Sequence, residues 1–117
     1  MPRPVLLTAE IRRQLLANGR HRHSRPDFDP APVVKLFTSD ARATWLITEL
    51  DPNEPDRAFG LCDLGLGSPE LGYVSLADIS GVRGCLGLPV ERDRWFRSCE
   101  AISVHAERAR QNGRIAA

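Results

Sequence analysis

The chain has 117 residues, of which 42% are hydrophobic, and its formal net charge is +1. This composition excludes an intrinsically disordered chain, and the length suits one domain that buries about two-thirds of its unfolded surface. No apolar run reaches the ~18 to 20 residues that a membrane-spanning helix needs, and the first residues lack the pattern of a signal peptide. We therefore expect one cytoplasmic domain over residues 1–117, without membrane association.

The three cysteines, Cys62, Cys85 and Cys99, are an odd number and contain no CxxC spacing. A disulfide framework and a zinc site both require paired, closely spaced thiols. We expect reduced cytosolic thiols, and neither a metal nor another cofactor.

Charge is distributed unevenly along the chain. Residues 1–25 hold six arginines and one acid, whereas residues 26–70 hold nine acids and three cations. This asymmetry has two interpretations: the first segment contacts nucleic acid, or the two segments pair with each other inside the fold.

The N-terminal segment predicts a helix. Thr8 is a suitable N-cap, the apolar spacing continues to about Asn18, and Gly19 suits the C′ position. The proline-rich stretch GRHRHSRPDFDPAP that follows predicts a basic loop over residues 19–32.

The middle of the chain predicts strands. Alternating apolar residues separated by turn residues occur over residues 33–38, 44–50, 59–64 and 71–75. Such spacing with short connections is typical of an antiparallel meander.

Capping signals organise the remainder. Ser75 stands three residues before Asp78 and predicts a short helix that Gly81 ends. A short strand near Val90 follows, and then a last helix over residues 98–112. We expect an α+β fold with a core over about residues 5–97: a sheet of four to five strands with the N- and C-terminal helices on one face.

No catalytic constellation accompanies this fold. The three histidines are His21, His23 and His105, and neither a nucleophile elbow nor a phosphate-binding loop is present. His105 lies on the apolar side of the last helix, which favours a buried structural histidine. The sequence therefore favours a non-enzymatic binding protein.

Two alternatives remain open. Glu49, Asp63 and Glu70 lie on predicted strands and could form the carboxylate set of a metal-dependent nuclease or phosphoesterase, although the lysine typical of such sites is missing. The second alternative is weak, sequence-tolerant nucleic-acid binding through a basic arm. Its arginines are Arg12, Arg13, Arg20, Arg22 and Arg25.

Five segments together resemble a bacterial family, domain of unknown function 2958, between about Leu6 and Phe96. The segments are LLTAEIRRQL, KLFTSDARATWLITELDP, FGLCDLG, SPELGYVSL and VRGCLGLPVERDRWF. The resemblance implies a protein carried by plasmids and other mobile elements. The stretch Arg20–Arg25 is more basic than the family pattern, and the tail after Phe96 lies outside it.

The resemblance also supplies a candidate binding set, for which we expect a protein partner. These polar residues of the shared segments are Asp63, Glu70, Tyr73, Glu91, Arg92 and Asp93. A structural alternative is that Arg92 pairs with Glu70 or Asp93 and fixes the GLPVERD segment.

Overall fold

The computed structural model describes residues 6–117. These residues contain three α-helices and five β-strands, joined by loops. The predicted start of the core at about residue 5 lies outside these residues. The elements are α1 (Ala9–Ser24), β1 (Val34–Thr38), β2 (Thr44–Asp51), β3 (Glu54–Asp63), β4 (Glu70–Ser75), α2 (Leu76–Gly81), β5 (Val90–Arg92) and α3 (Ile102–Asn112). None of the helices in residues 6–117 combines the length and the hydropathy needed to cross a membrane.

The strands form one sheet in the order β4-β3-β2-β1-β5, and every neighbouring pair is antiparallel. β1 to β4 form the predicted meander, and β5 adds to the free edge of β1. The α+β prediction with a sheet of four to five strands is confirmed. β3 begins earlier than predicted because Asp51 pairs with Glu54 across a tight turn, in which the Asp51 carboxylate accepts the Asn53 amide.

Helix α1 is six residues longer than predicted, so the predicted basic loop over 19–32 is helical as far as Ser24. The last residue pair of β1 with β2 joins Val34 to Ile47, which leaves the rest of β2 open on that side. α1 crosses this open edge, where the Asn18 side chain donates to the Thr48 carbonyl at 2.8 Å. Gly19 approaches the Leu50 carbonyl so closely that a Cβ would lie 1.9 Å from its oxygen, so Gly19 is a contact residue inside the helix and not its C′ residue.

The helices lie on opposite faces of the sheet. Trp45 and Ile47 point into a cluster with Leu15 of α1 and the apolar residues of α2. Leu46, between them, points the other way into a cluster with Ile102 of α3. The prediction that the N- and C-terminal helices share one face is therefore wrong. An apolar stripe indicates that a helix packs against the sheet, but it does not indicate which face of the sheet the helix covers.

Helix α3 begins at Ile102, four residues after the predicted cap at Ser98. Its N-cap position is Ala101, which offers no side-chain acceptor. Asp29 takes that role from outside the helix: its carboxylate accepts both the backbone amide, at 3.0 Å, and the hydroxyl of Ser103. The start of α3 is thus set by a residue 74 positions away.

Three predicted helix signals are confirmed. The Thr8 hydroxyl accepts the Ile11 amide at 3.1 Å and caps α1. The Ser75 hydroxyl accepts the Asp78 amide at 3.2 Å and caps α2. Gly113 ends α3 with a φ of 73°, the left-handed conformation that glycine adopts readily.

Candidate binding surface

The six residues of the predicted binding set do not come together. Glu70 and Tyr73 lie on β4, whereas Glu91 and Arg92 lie on β5, at the other edge of the sheet. Four strand spacings separate these edges, roughly 19 Å. The proposed pairing of Glu70 with Arg92 is therefore wrong.

Several members of the set have scaffold roles. Asp63 is buried, and its carboxylate accepts the amides of Gly65 at 2.8 Å and Ile115 at 2.9 Å. Arg92 donates to the Leu6 carbonyl at 2.6 Å, joining β5 to the segment before α1.

The carboxylates of the nuclease hypothesis are also separated. Glu49 stands opposite Phe59 and Asp63 opposite Thr44, so five positions of β2, roughly 17 Å, lie between them. Glu70 of β4 is paired with Cys62 of β3, close to Asp63 and at the opposite end of the sheet from Glu49. Across residues 6–117, no group of three metal-binding side chains is formed.

Glu49 instead pairs with Arg22. The guanidinium donates from Nε to Oε2 at 2.8 Å and from Nη2 to Oε1 at 2.7 Å, and Glu49 is only 4% exposed. The hydrogen bond to Glu49 raises the Arg22 pKa above its ordinary value. The same guanidinium lies 5.3 Å from the Phe59 ring centroid, which supports a planar cation held between α1 and the sheet.

The other arginines of the predicted basic arm remain on the surface. Arg12, Arg13, Arg20 and Arg25 are exposed, and none forms an ion pair with another described residue. Arg13 and Arg20, seven residues apart, share one side of α1. Pairing within the fold thus accounts for Arg22 and leaves the other four charges on the surface.

Burial separates the cysteines in reactivity. Desolvation raises the pKa of the Cys62 thiol to about 11, so little thiolate forms there near neutral pH. Cys85 and Cys99 are exposed free thiols.

The turn between β1 and β2, residues 39–43, anchors a second loop of the chain. One Asp40 carboxylate oxygen accepts the backbone amides of Leu86 at 2.8 Å and Leu88 at 3.1 Å. A Cβ at Gly84 would lie 1.7 Å from the other oxygen, so any larger residue would displace the Asp40 side chain on which the loop closes. The loop 84–88 is consequently held in a fixed position beside the turn.

The loop between β3 and β4 contacts the same turn from another side. A Cβ at Gly65 would lie 2.8 Å from the Arg42 Cβ. Each of these two loops exposes a pair of leucines. They are Leu64 (62% exposed), Leu66 (82%), Leu86 (77%) and Leu88 (44%).

We name these four leucines and the turn 39–43 the loop-end surface. Exposed arginines border it: Arg42 in the turn and Arg83 before the second loop. Asp40, the acid of the turn, has one oxygen engaged by the two amides and the other buried. The surface therefore combines apolar side chains with two exposed arginines, while the Asp40 carboxylate is directed into the protein.

Sequence reasoning missed this surface, although it carried a signal. The segments LGLGS and CLGLP place leucines between turn-forming glycines, where polar residues are usual. A leucine in such a turn has no strand or helix to direct it into the core.

The geometry defines an α+β class with a five-stranded antiparallel sheet between helices. A protein-family model, "Protein of unknown function (DUF2958)", matches residues 6–116. The chain belongs to this family, and the match includes the tail after Phe96 that the sequence comparison had placed outside it. No curated protein and no solved structure matches the chain.

Proposed function

We propose that this protein is a non-enzymatic binding protein whose partner is another protein, docked on the loop-end surface. The observation that carries this proposal is the convergence of two leucine-bearing loops on one short turn. Several exposed apolar side chains around one turn favour an interaction site, whereas isolated ones are common on any surface.

The border of the surface specifies the kind of partner. Arg42 and Arg83 are exposed, while the carboxylate of Asp40 is already engaged by backbone amides. A partner segment with apolar anchors and acidic neighbours would complement both properties. The occupant we commit to is therefore an acidic, leucine-binding segment of a different protein.

The fixed loop supports the same proposal. Binding costs less when the contact residues are already ordered, because less conformational entropy is lost. The bonds from Asp40 to the Leu86 and Leu88 amides order the loop in the absence of a partner.

We also propose that this protein is carried by a plasmid or another mobile element, as the family resemblance implies. The genes beside family members test this part: a recurrent neighbour encoding an acidic protein would supply the partner for the binding experiment.

Site-specific photocrosslinking in the native cell tests the surface. A benzophenone amino acid is introduced at Leu66, at Leu86, or at the control position Val104, which is exposed on α3. We expect one discrete adduct from positions 66 and 86, mapped to an acidic segment, and none from position 104. Adducts that contain only a second copy of this chain, or equal adducts from all three positions, would overturn the proposal.

A further inference from the structure

An exposed tryptophan follows β5 in a strongly basic segment, residues 92–97, with the sequence RDRWFR. Trp95 is 90% exposed, whereas Trp45, the other tryptophan, is 3% exposed. Tryptophan is highly buried on average, so such an exposed indole between arginines needs an explanation beyond the core.

The local geometry directs this indole outward. The Asp93 carboxylate accepts the Trp95 amide at 2.9 Å, and the Phe96 amide donates to the Asp93 carbonyl at 3.3 Å. This tight turn places Phe96 against the cluster under α3 and leaves Trp95 in solvent. The same Asp93 lies 3.8 Å from Lys35, which neutralises the acid nearest the tryptophan.

A cleft of ≈ 620 Å³ lies beside the segment, between it, the start of α1 and the start of β1. Its size falls within the range of ligand-binding clefts. Arg92, Arg94 and Arg97 line it, together with the acids Glu10 and Asp93, whereas Trp95 lies outside its lining.

The cations are arranged for a ligand outside the fold. Arg92 is held by the Leu6 carbonyl, which fixes its place in the wall. Arg97 donates only to the neighbouring Phe96 carbonyl, and Arg94 has no partner among the described residues. The guanidinium groups of Arg94 and Arg97, which flank Trp95 in the sequence, are thus available to an anion.

We propose that this segment binds single-stranded nucleic acid, one unpaired base stacking on the exposed Trp95 and flanking phosphates contacting Arg94 and Arg97 at the cleft wall. An aromatic face with adjacent cations is the arrangement by which proteins bind single strands without reading sequence. A duplex keeps its bases inside the stack and offers Trp95 none. The proposal goes beyond the protein-binding surface, which lies on other loops.

Fluorescence anisotropy of a labelled oligothymidylate of about ten nucleotides tests the stacking. Trp95→Ala should weaken binding roughly 5- to 150-fold, the value of one base–aromatic stack. Trp95→Phe should retain most of the affinity, because it keeps a ring face. Both substitutions change the same exposed side chain. Unfolding temperatures equal to that of the unmodified chain would establish that neither variant alters the fold.

Salt dependence tests the charges with a matched control. The slope of log K against log salt should flatten by about 1.4 in R94A/R97A, since each phosphate contact contributes about 0.7 on a single strand. R12A/R20A removes the same charge from α1 and should leave the slope unchanged.

Three results would overturn the proposal. They are no binding by the wild-type chain at low salt, unchanged affinity in Trp95→Ala, or flattening of the slope in R12A/R20A alone.

Discussion

Arg22 on α1 and Glu49 on β2 form a two-point ion pair in which both carboxylate oxygens accept from the guanidinium. Replacing Arg22 with alanine would leave the buried Glu49 carboxylate without its cation. We predict that Arg22→Ala lowers the free energy of unfolding by about 2 to 4 kcal/mol.

Urea unfolding at neutral pH measures this loss. Arg20→Ala is the matched control, because Arg20 is exposed on the same helix, and its effect should stay within about 0.5 kcal/mol. Equal losses in the two variants would show that the pair does not stabilise the fold.

Gly19 tests the contact between α1 and the edge of β2. In an exposed helix interior, glycine to alanine normally stabilises by up to about 1 kcal/mol. Here the added Cβ would lie 1.9 Å from the Leu50 carbonyl oxygen, so we predict that Gly19→Ala destabilises. Gly81→Ala, at an open position in α2, should be neutral or stabilising in the same thermal unfolding measurement. A stabilised Gly19→Ala would contradict the close approach.

The position of Gly19 inside α1, where the sequence predicted the C′ residue, shows what the sequence could and could not predict. A glycine at the end of an apolar stripe has the same local signature whether it caps a helix or contacts another element. The same holds for α3, whose start depends on Asp29, a residue distant in sequence. The strands and the Ser75 cap were predictable because their determinants lie within a few residues.

The candidate sites were harder to predict than the strands, because their residues come together or separate according to the strand order of the sheet. Glu70 and Arg92 lie in segments close in sequence, but β5 adds beside β1, so they occupy opposite edges. Leu66 and Leu86 lie in separate loops, and each loop contacts the turn 39–43. Pairing of distant segments is set by the whole fold, which local patterns do not specify.

Asp40 should control the order of the loop 84–88. Asp40→Ala removes the acceptor of the Leu86 and Leu88 amides, so we predict faster hydrogen exchange at both amides. Asp78→Ala, at an exposed position on α2, is the control and should leave exchange in the loop unchanged. Unchanged protection in Asp40→Ala would mean that the loop is ordered by other contacts.

His105 should make stability depend on pH. Desolvation holds the pKa of His105 below its ordinary value of about 6.5, and its Nε2 lies 2.7 Å from the Ser98 hydroxyl. As pH falls below about 6.5, the unfolded chain takes up a proton that the folded chain resists. The free energy of unfolding should therefore decrease until the pH reaches the folded-state pKa.

Urea unfolding at about pH 7.5 and about pH 5 measures this decrease. His105→Gln removes the titrating group and should reduce the difference between the two conditions. A difference of the same size in His105→Gln would assign the dependence to other groups.

The most direct test of the proposed function is the affinity of the crosslinked partner, purified and titrated by calorimetry. It is titrated against the unmodified chain and against two variants, L66E/L86E and Val104→Glu. In L66E/L86E two carboxylates replace the most exposed leucines of the loop-end surface, and Val104→Glu adds one on α3. Loss of a central apolar anchor typically costs 2 kcal/mol or more, so L66E/L86E should bind at least about 30-fold more weakly than the unmodified chain. Val104→Glu should match the unmodified chain. Equal affinity of L66E/L86E and the unmodified chain, with both variants folded, would contradict docking on the loop-end surface.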